Sequence, residues 1–340
     1  MTTPTTYSAV TRCPWTFKPL SDPTAAQSEY TGRDLPQGWA NSGSVCIAMA
    51  GARASGKSLY IAVLVKQLQQ LAEKHGRVVV PADASTEERY REHYEEPLFE
   101  KMGLMPPTPS HAAADAYQRD PLIFNLGDWD LGDGHGTRPW FLVLRDVAGE
   151  DLESPPDDVS DLEFFRDADE VVFLFDPLKV SQIRNYLQGI IPEHQLGGDP
   201  VKVLDNLFRI LGQARPNLAI TLSKFDTLQK LEEVPDAKWA RMMGNYGAAY
   251  RRDTGFTYNR VDQDLLNIEI RSMLMWLQAQ RLVYTIDSRY NGQPSSAYRF
   301  FATSALGAAP QGSHLHRSGI APFRVLDPVL WQLAERGLFR

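Results

Sequence analysis

Hydrophobic and polar positions along this chain follow two rhythms. Short unbroken apolar runs, the mark of strands covered on both faces, occur at 44–50, 170–176 and 217–223, with "AYRFFATS" (297–304) as a fourth. Between them, apolar residues recur at helical spacing. Leu59, Val63, Leu64, Leu68 and Leu71 form one such face over 57–75, and Gly76 supplies its stop. Two helical patterns follow the run at 170–176, and a mostly helical stretch extends from 227 to about 287. "DPVLWQLAERGLF" is a closing helix with Pro328 in its first turn. Two further strands are expected at 121–126 and 140–146. The Gly/Asp-rich linker between them, "GDWDLGDGHGTR", predicts an antiparallel hairpin.

Six strands follow, five separated by helices and one joined in the hairpin. That pattern predicts an α/β fold in three layers: a six-stranded, mainly parallel sheet with one antiparallel edge strand and helices on both faces. Residues 1–43 are rich in Thr, Pro, Ser and Gly. They read as an irregular N-terminal arm that packs through Trp15, Phe17 and Trp39. The body spans 44–340 with insertions at about 83–120 and 228–295.

Composition narrows the partners. The 340 residues are 43% hydrophobic and 23% charged, enough apolar material for one large core. The net charge of −7 contains no run of five like charges, which argues against nucleic acid and against a polybasic membrane patch. Two cysteines cannot form a disulfide framework and fit a reducing compartment; Cys46, inside an apolar run, reads as core. The start, "MTTPTTYSAV", lacks the signature of a signal peptide, and no apolar stretch is long enough for a membrane span. A soluble, cytoplasmic protein is expected.

The chemistry begins at "AMAGARASGKSLY" (48–60), where Gly51, Ala52, Arg53, Ala54, Ser55, Gly56, Lys57 and Ser58 fit G-x-x-x-x-G-K-[ST]. A strand precedes the loop and a helix follows it. Glycine lets the backbone amides turn toward phosphate oxygens, and the helix start adds its positive end. Lys57 would bridge the β- and γ-phosphates, and Ser58 would place a hydroxyl on Mg²⁺. A chance match in a chain of this size arises roughly once in a hundred. Three later segments each end a predicted strand, where ligands of open α/β sheets bind. "RDVAGE" (145–150) offers Asp146 to Mg²⁺ and the Gly149 amide to a γ-phosphate. "SKFD" offers Ser223, Lys224 and Asp226. A carboxylate at 226 would accept from guanine N1–H and its amino group, where adenine has no donor. "TSALG" offers Ser304, Ala305 and Leu306, with the Ala305 amide placed to donate to guanine O6.

In this order the four segments resemble the motifs of Ras-like GTPases of the translation-factor (TRAFAC) class, across roughly 44–340. "DVAGE", "LFDP" (174–177) and "RVLDPVLWQLAERGLF" are similar more narrowly to the bacterial double-GTPase group. The resemblance implies a phosphate-loop NTPase fold with a Ras-like G domain. It implies binding of Mg²⁺ with GTP/GDP, slow hydrolysis of GTP to GDP and phosphate, and a nucleotide switch. Its partners would be other proteins, an effector or a second GTPase among them. The catalytic set would be Lys57, Glu150 as water-orienting group, and Arg53. The metal set would be Ser58, Asp146 and a switch-I threonine, with Thr108 the choice and Thr86 and Ser110 the alternatives. The chain departs from the family at three places. Ser223 replaces the usual Asn or Thr, Glu150 the usual Gln, and Arg53 a small glycine. Arg53 reads equally as an in-cis cation for the transition state and as an obstruction to an activating partner. Two rivals stay open: an ATPase on the same loop, and a nucleotide-binding pseudo-GTPase scaffold with little hydrolysis.

Overall fold

The computed structural model describes residues 11–101, 103, 120–132, 134, 136–155, 158–180, 183, 185, 199–233, 237–294, 297–308 and 319–340. One mixed sheet organises them. Its strands are β1 (Gly43–Ala50), β2 (Val80–Pro81), β3 (Leu122–Trp129), β4 (Arg138–Arg145), β5 (Glu170–Phe175), β6 (Asn217–Leu222) and β7 (Tyr298–Ala302), in the order β2-β3-β4-β1-β5-β6-β7. Strands β4, β1, β5, β6 and β7 are mutually parallel, and β3 runs antiparallel to both β4 and β2. All eight residues of β1 and all six of β5 are buried. Side chains alternate between faces, so both faces of the sheet centre are covered, as an unbroken apolar run requires.

Seven strands replace the six expected. The addition is β2, a two-residue pairing in "VVVP" that puts Val80 opposite Asn125 and Pro81 opposite Phe124. It is too short to carry an alternating pattern, and its proline suits an outer position. The antiparallel strand is therefore second from the edge. The hairpin strands also reach further into the Gly/Asp-rich linker than its composition suggests. A register irregularity lies between Asn125 and Asp128, where Gly127 takes φ 83°.

The helices are α1 (Lys57–Lys74), α2 (Ala84–Tyr90), α3 (Gly149–Glu153), α4 (Pro200–Leu211), α5 (Phe225–Gln229), α6 (Ala237–Met243), α7 (Arg260–Trp276), α8 (Gln280–Arg289) and α9 (Asp327–Glu335). A π-helical segment, Arg91–Glu100, continues α2 and contains Pro97, whose missing N–H suits a widened turn. The long helical stretch expected from 227 is broken into α5 to α8. On α7, Met273 is buried while Leu265, Ile268 and Trp276 are exposed, so that apolar stripe divides between core and surface.

Among residues 11–42, Phe17 and Trp39 are buried, and Trp15 nearly so. The Trp39 ring lies 4.7 Å from Phe141 of β4, and Phe17 meets Phe164 edge-on at 5.4 Å. Cys13 and Cys46 are both buried free thiols. Among the described residues, no helix is long and apolar enough to cross a membrane.

Candidate functional site

At the end of β1 the chain turns through Gly51 at φ 146°. A side chain there would collide with the Leu174 carbonyl and lie 2.9 Å from Ser55 Oγ, so only glycine fits. Ala54 (φ 59°) and Gly56 (φ 91°) both take left-handed backbone, and α1 starts at Lys57 with no side chain capping it. The first amides of an 18-residue helix thus face the loop, with the positive end of its dipole behind them.

Lys57 is buried, and its ammonium folds back to donate to Gly51 O (2.8 Å) and Ala52 O (3.2 Å). Burial pushes its pKa down, and the nearby Asp146 carboxylate opposes that shift. Ser58 Oγ donates to Asp146 Oδ2 at 3.4 Å, and Val147 N donates to Asp146 Oδ1 at 2.9 Å. Burial raises the Asp146 pKa, with Lys57 the main opposing influence. Two oxygens, one hydroxyl and one carboxylate, therefore sit side by side next to the lysine at the loop's helical end.

Gly149 closes over the other side of the loop. A Cβ on it would collide with Arg53 N and lie 2.5 Å from the Ala52 carbonyl carbon. From the same short helix, Glu153 Oε1 accepts from Arg53 N at 2.7 Å, and Glu150 Oε1 pairs with Arg53 Nη1 at 2.7 Å. The latter pair is exposed at both partners, where such contacts contribute little. Lys179, just after β5, donates its ammonium to the Arg53 carbonyl.

The "SKFD" and "TSALG" segments meet at the ends of β6 and β7. Lys224 sits in left-handed backbone at φ 52°, which lifts its side chain out of the strand direction. Its ammonium donates to Asp176 Oδ2 at 2.6 Å, and Asp176 Oδ1 accepts from Leu178 N at 2.9 Å. Asp226 Oδ1 accepts from Ser304 Oγ at 2.6 Å, and Gly307 N donates to that hydroxyl at 2.9 Å. Phe225 N donates to Thr303 O at 3.0 Å, fastening the two segments through the backbone. Ala305 and Leu306 are half-buried beside them. The Ser55 and Ser223 hydroxyls are buried without a hydrogen-bond partner, one in each half of the rim.

The structure thus brings the four predicted segments onto one edge of the sheet. Lys179, Asp176 and Lys224 link the loop half to the "SKFD" half. Thr108 and its alternative Ser110 lie outside the described residues. The other alternative, Thr86, uses its hydroxyl to accept from Ile123 N at 3.3 Å. Sequence reasoning missed Glu153 and Lys179. They reach the loop from 100 and 126 positions away, and neither belongs to a recognisable spacing. Asp176 fixes the turn after β5 through Leu178 N, and its grip on Lys224 adds a second duty.

Sheet order and loop together define an α/β protein with a mixed, mainly parallel sheet and a glycine-bearing turn between β1 and α1. No family model matches the chain. The chain is 46% identical over 307 residues to the "Putative ESX-1 scaffolding and assembly protein SaeC" of Mycolicibacterium smegmatis, covering 89% of this chain and 78% of the relative. It belongs to the SaeC family. Solved structures overlap it more loosely. The GTP-bound GTPase-like domain of S. cerevisiae Ski7 gives a TM-score of 0.31 at 12% identity, over 86% of this chain and 50% of that one. A septin GTPase domain from Chlamydomonas reinhardtii gives 0.33 at 14%, over 87% and 94%.

Proposed function

We propose that this chain binds guanine nucleotide with Mg²⁺ and uses it as a switch in a bacterial multi-protein assembly. The reading is carried by the convergence at the rim: the Asp226–Ser304 bond of 2.6 Å stands on the same strand edge as the Gly51–Ser58 loop. In this reading Lys57 neutralises phosphate charge, and the loop amides with Gly149 N–H cradle it. Asp226 recognises the base, with Ser304 holding it in place, Ala305 N–H nearby and the Lys224 stem alongside. Ser58 and Asp146 fit Mg²⁺, which takes hard oxygen donors and needs only one or two from protein when phosphates supply others. Among the described residues no cluster of three or more His, Cys, Asp or Glu could hold a metal by itself, consistent with a metal shared with phosphate.

Hydrolysis in this reading is slow. Arg53 and Glu150, the two groups suited to stabilise charge and orient water, hold one another instead. The SaeC relative is named as a scaffolding and assembly protein, which supports protein partners and favours a second reading in which nucleotide is bound but barely cleaved. Membership of a double-GTPase group rests on sequence likeness alone.

The deciding measurement is the dissociation constant for GDP against ADP in Mg²⁺ buffer. A preference for GDP supports the assignment, and a preference for ADP removes it. Phosphate release by wild type and Lys57→Ala then separates switch from scaffold: equal background rates despite tight GTP binding favour the scaffold.

A further inference from the structure

The acidic turn that follows "DVAG" lies against the phosphate loop in a way that bears on which nucleotide the loop accepts. Helix α3 is held from two sides. Leu152 is fully buried, and Asn206 Nδ2 on α4 donates to Leu152 O at 2.8 Å and to Glu153 O at 3.3 Å. So anchored, α3 delivers the Glu153 carboxylate to Arg53 N at 2.7 Å. This is a hydrogen bond to a charged acceptor, stronger than one between neutral groups. Glu153's negative charge is felt at both Lys57 and Lys179. The loop's cations therefore already face an anion that belongs to the protein.

Arg53 N lies directly beside Gly149, the residue assigned above to the terminal phosphate. We propose that Glu153 determines the ligand preference of this site: its carboxylate holds the loop amide that a terminal phosphate needs, so a nucleoside diphosphate enters over the closed latch and a triphosphate must expel it. The inference rests on the guanine-nucleotide reading for its physiological ligand, but the discrimination it describes is between phosphate chains.

The test uses the full chain, as wild type, Glu153→Gln and Glu153→Ala, with Mg²⁺. The probes are GDP, ADP, a non-hydrolysable GTP analogue, pyrophosphate and tripolyphosphate, titrated by calorimetry. Gln keeps the shape without the charge; Ala also removes the acceptor. Both variants should bind the GTP analogue and tripolyphosphate about 10- to 100-fold more tightly, the span of one hydrogen bond to a charged group, and change GDP and pyrophosphate by less than about threefold. Equal changes for two- and three-phosphate probes, or no change for any, would overturn the proposal. If GDP and ADP bind alike, the guanine reading fails while the tripolyphosphate-to-pyrophosphate ratio still decides this one. If neither phosphate chain binds any of the three proteins, both fall. Unfolding midpoints near the wild-type value verify that each variant folds.

Discussion

Replacing Asp226 with Asn probes base recognition while leaving the rim intact. In wild type, Asp226 accepts from Ser304 Oγ through Oδ1 at 2.6 Å, which orients the carboxylate and leaves its remaining acceptor capacity for a ligand. Guanine presents two donors to it, N1–H and the exocyclic amino group. Each hydrogen bond to a charged group contributes about 1.5–3 kcal/mol, so the pair contributes about 3–6 kcal/mol. Asn can still accept from Ser304, so the local fold should persist. Its amide N–H₂ then opposes a guanine donor, and the charge is gone. GDP affinity should fall by about 10²- to 10⁴-fold. Xanthine carries an acceptor where guanine has its amino group, so xanthosine diphosphate should bind the variant more tightly than it binds wild type. ADP should be indifferent to the change. Calorimetric titration of the three diphosphates against both proteins reads all of this. GDP affinity within about threefold of wild type, less than one charged hydrogen bond is worth, would refute the assignment. So would a failure of xanthosine diphosphate to improve.

Two further substitutions address the body of the protein. Arg324 is wholly buried and ties Asp262 (2.6 Å), Asp327 (2.6 Å), Ala249 O (3.0 Å) and Arg252 O (2.8 Å) to one guanidinium. Arg324→Met removes the guanidinium partner of the buried Asp327 carboxylate and one of the two that hold Asp262, which keeps Arg252 at 2.9 Å; it should destabilise the fold by about 3–5 kcal/mol in urea unfolding, and a loss below about 1 kcal/mol would contradict the role given to this hub. Glu170 is buried in β5 with neither carboxylate oxygen bonded, and burial raises its pKa well above the ordinary carboxylate range. A raised folded pKa means that its stabilising contribution is complete below the unfolded value and is lost as pH climbs through the folded one. Glu170→Gln, uncharged throughout, should therefore match wild type in acid and gain on it as pH rises. Unfolding midpoints of both proteins across the neutral range measure the difference, and a pH-independent gap would refute the explanation.

Local chemistry made the turn from β1 into α1 legible in the sequence. Gly51 and Gly56 are required by backbone angles that the loop itself imposes, and Lys57 and Ser58 follow within two residues on the helix they start. The unbroken apolar runs of β1 and β5 were readable for the same reason, because burial on both faces leaves its mark on every residue of the run. The pairing of β2 was not, since two residues show no period and their partners are set by β3. Nor could spacing show that Asp226 is held by Ser304, that Lys179 reaches the Arg53 carbonyl, or that Glu153 takes the Arg53 amide, contacts that bridge 78, 126 and 100 positions. Such contacts depend on how strands are ordered and how α3 is anchored, and a carboxylate has the same formula whether it faces water or a phosphate cradle. Sequence alone determined the glycine turn between β1 and α1 and the layered fold around it; only the tertiary structure decided which acid lies across that turn, because that choice is made by the packing of Leu152 and the hydrogen bonds of Asn206.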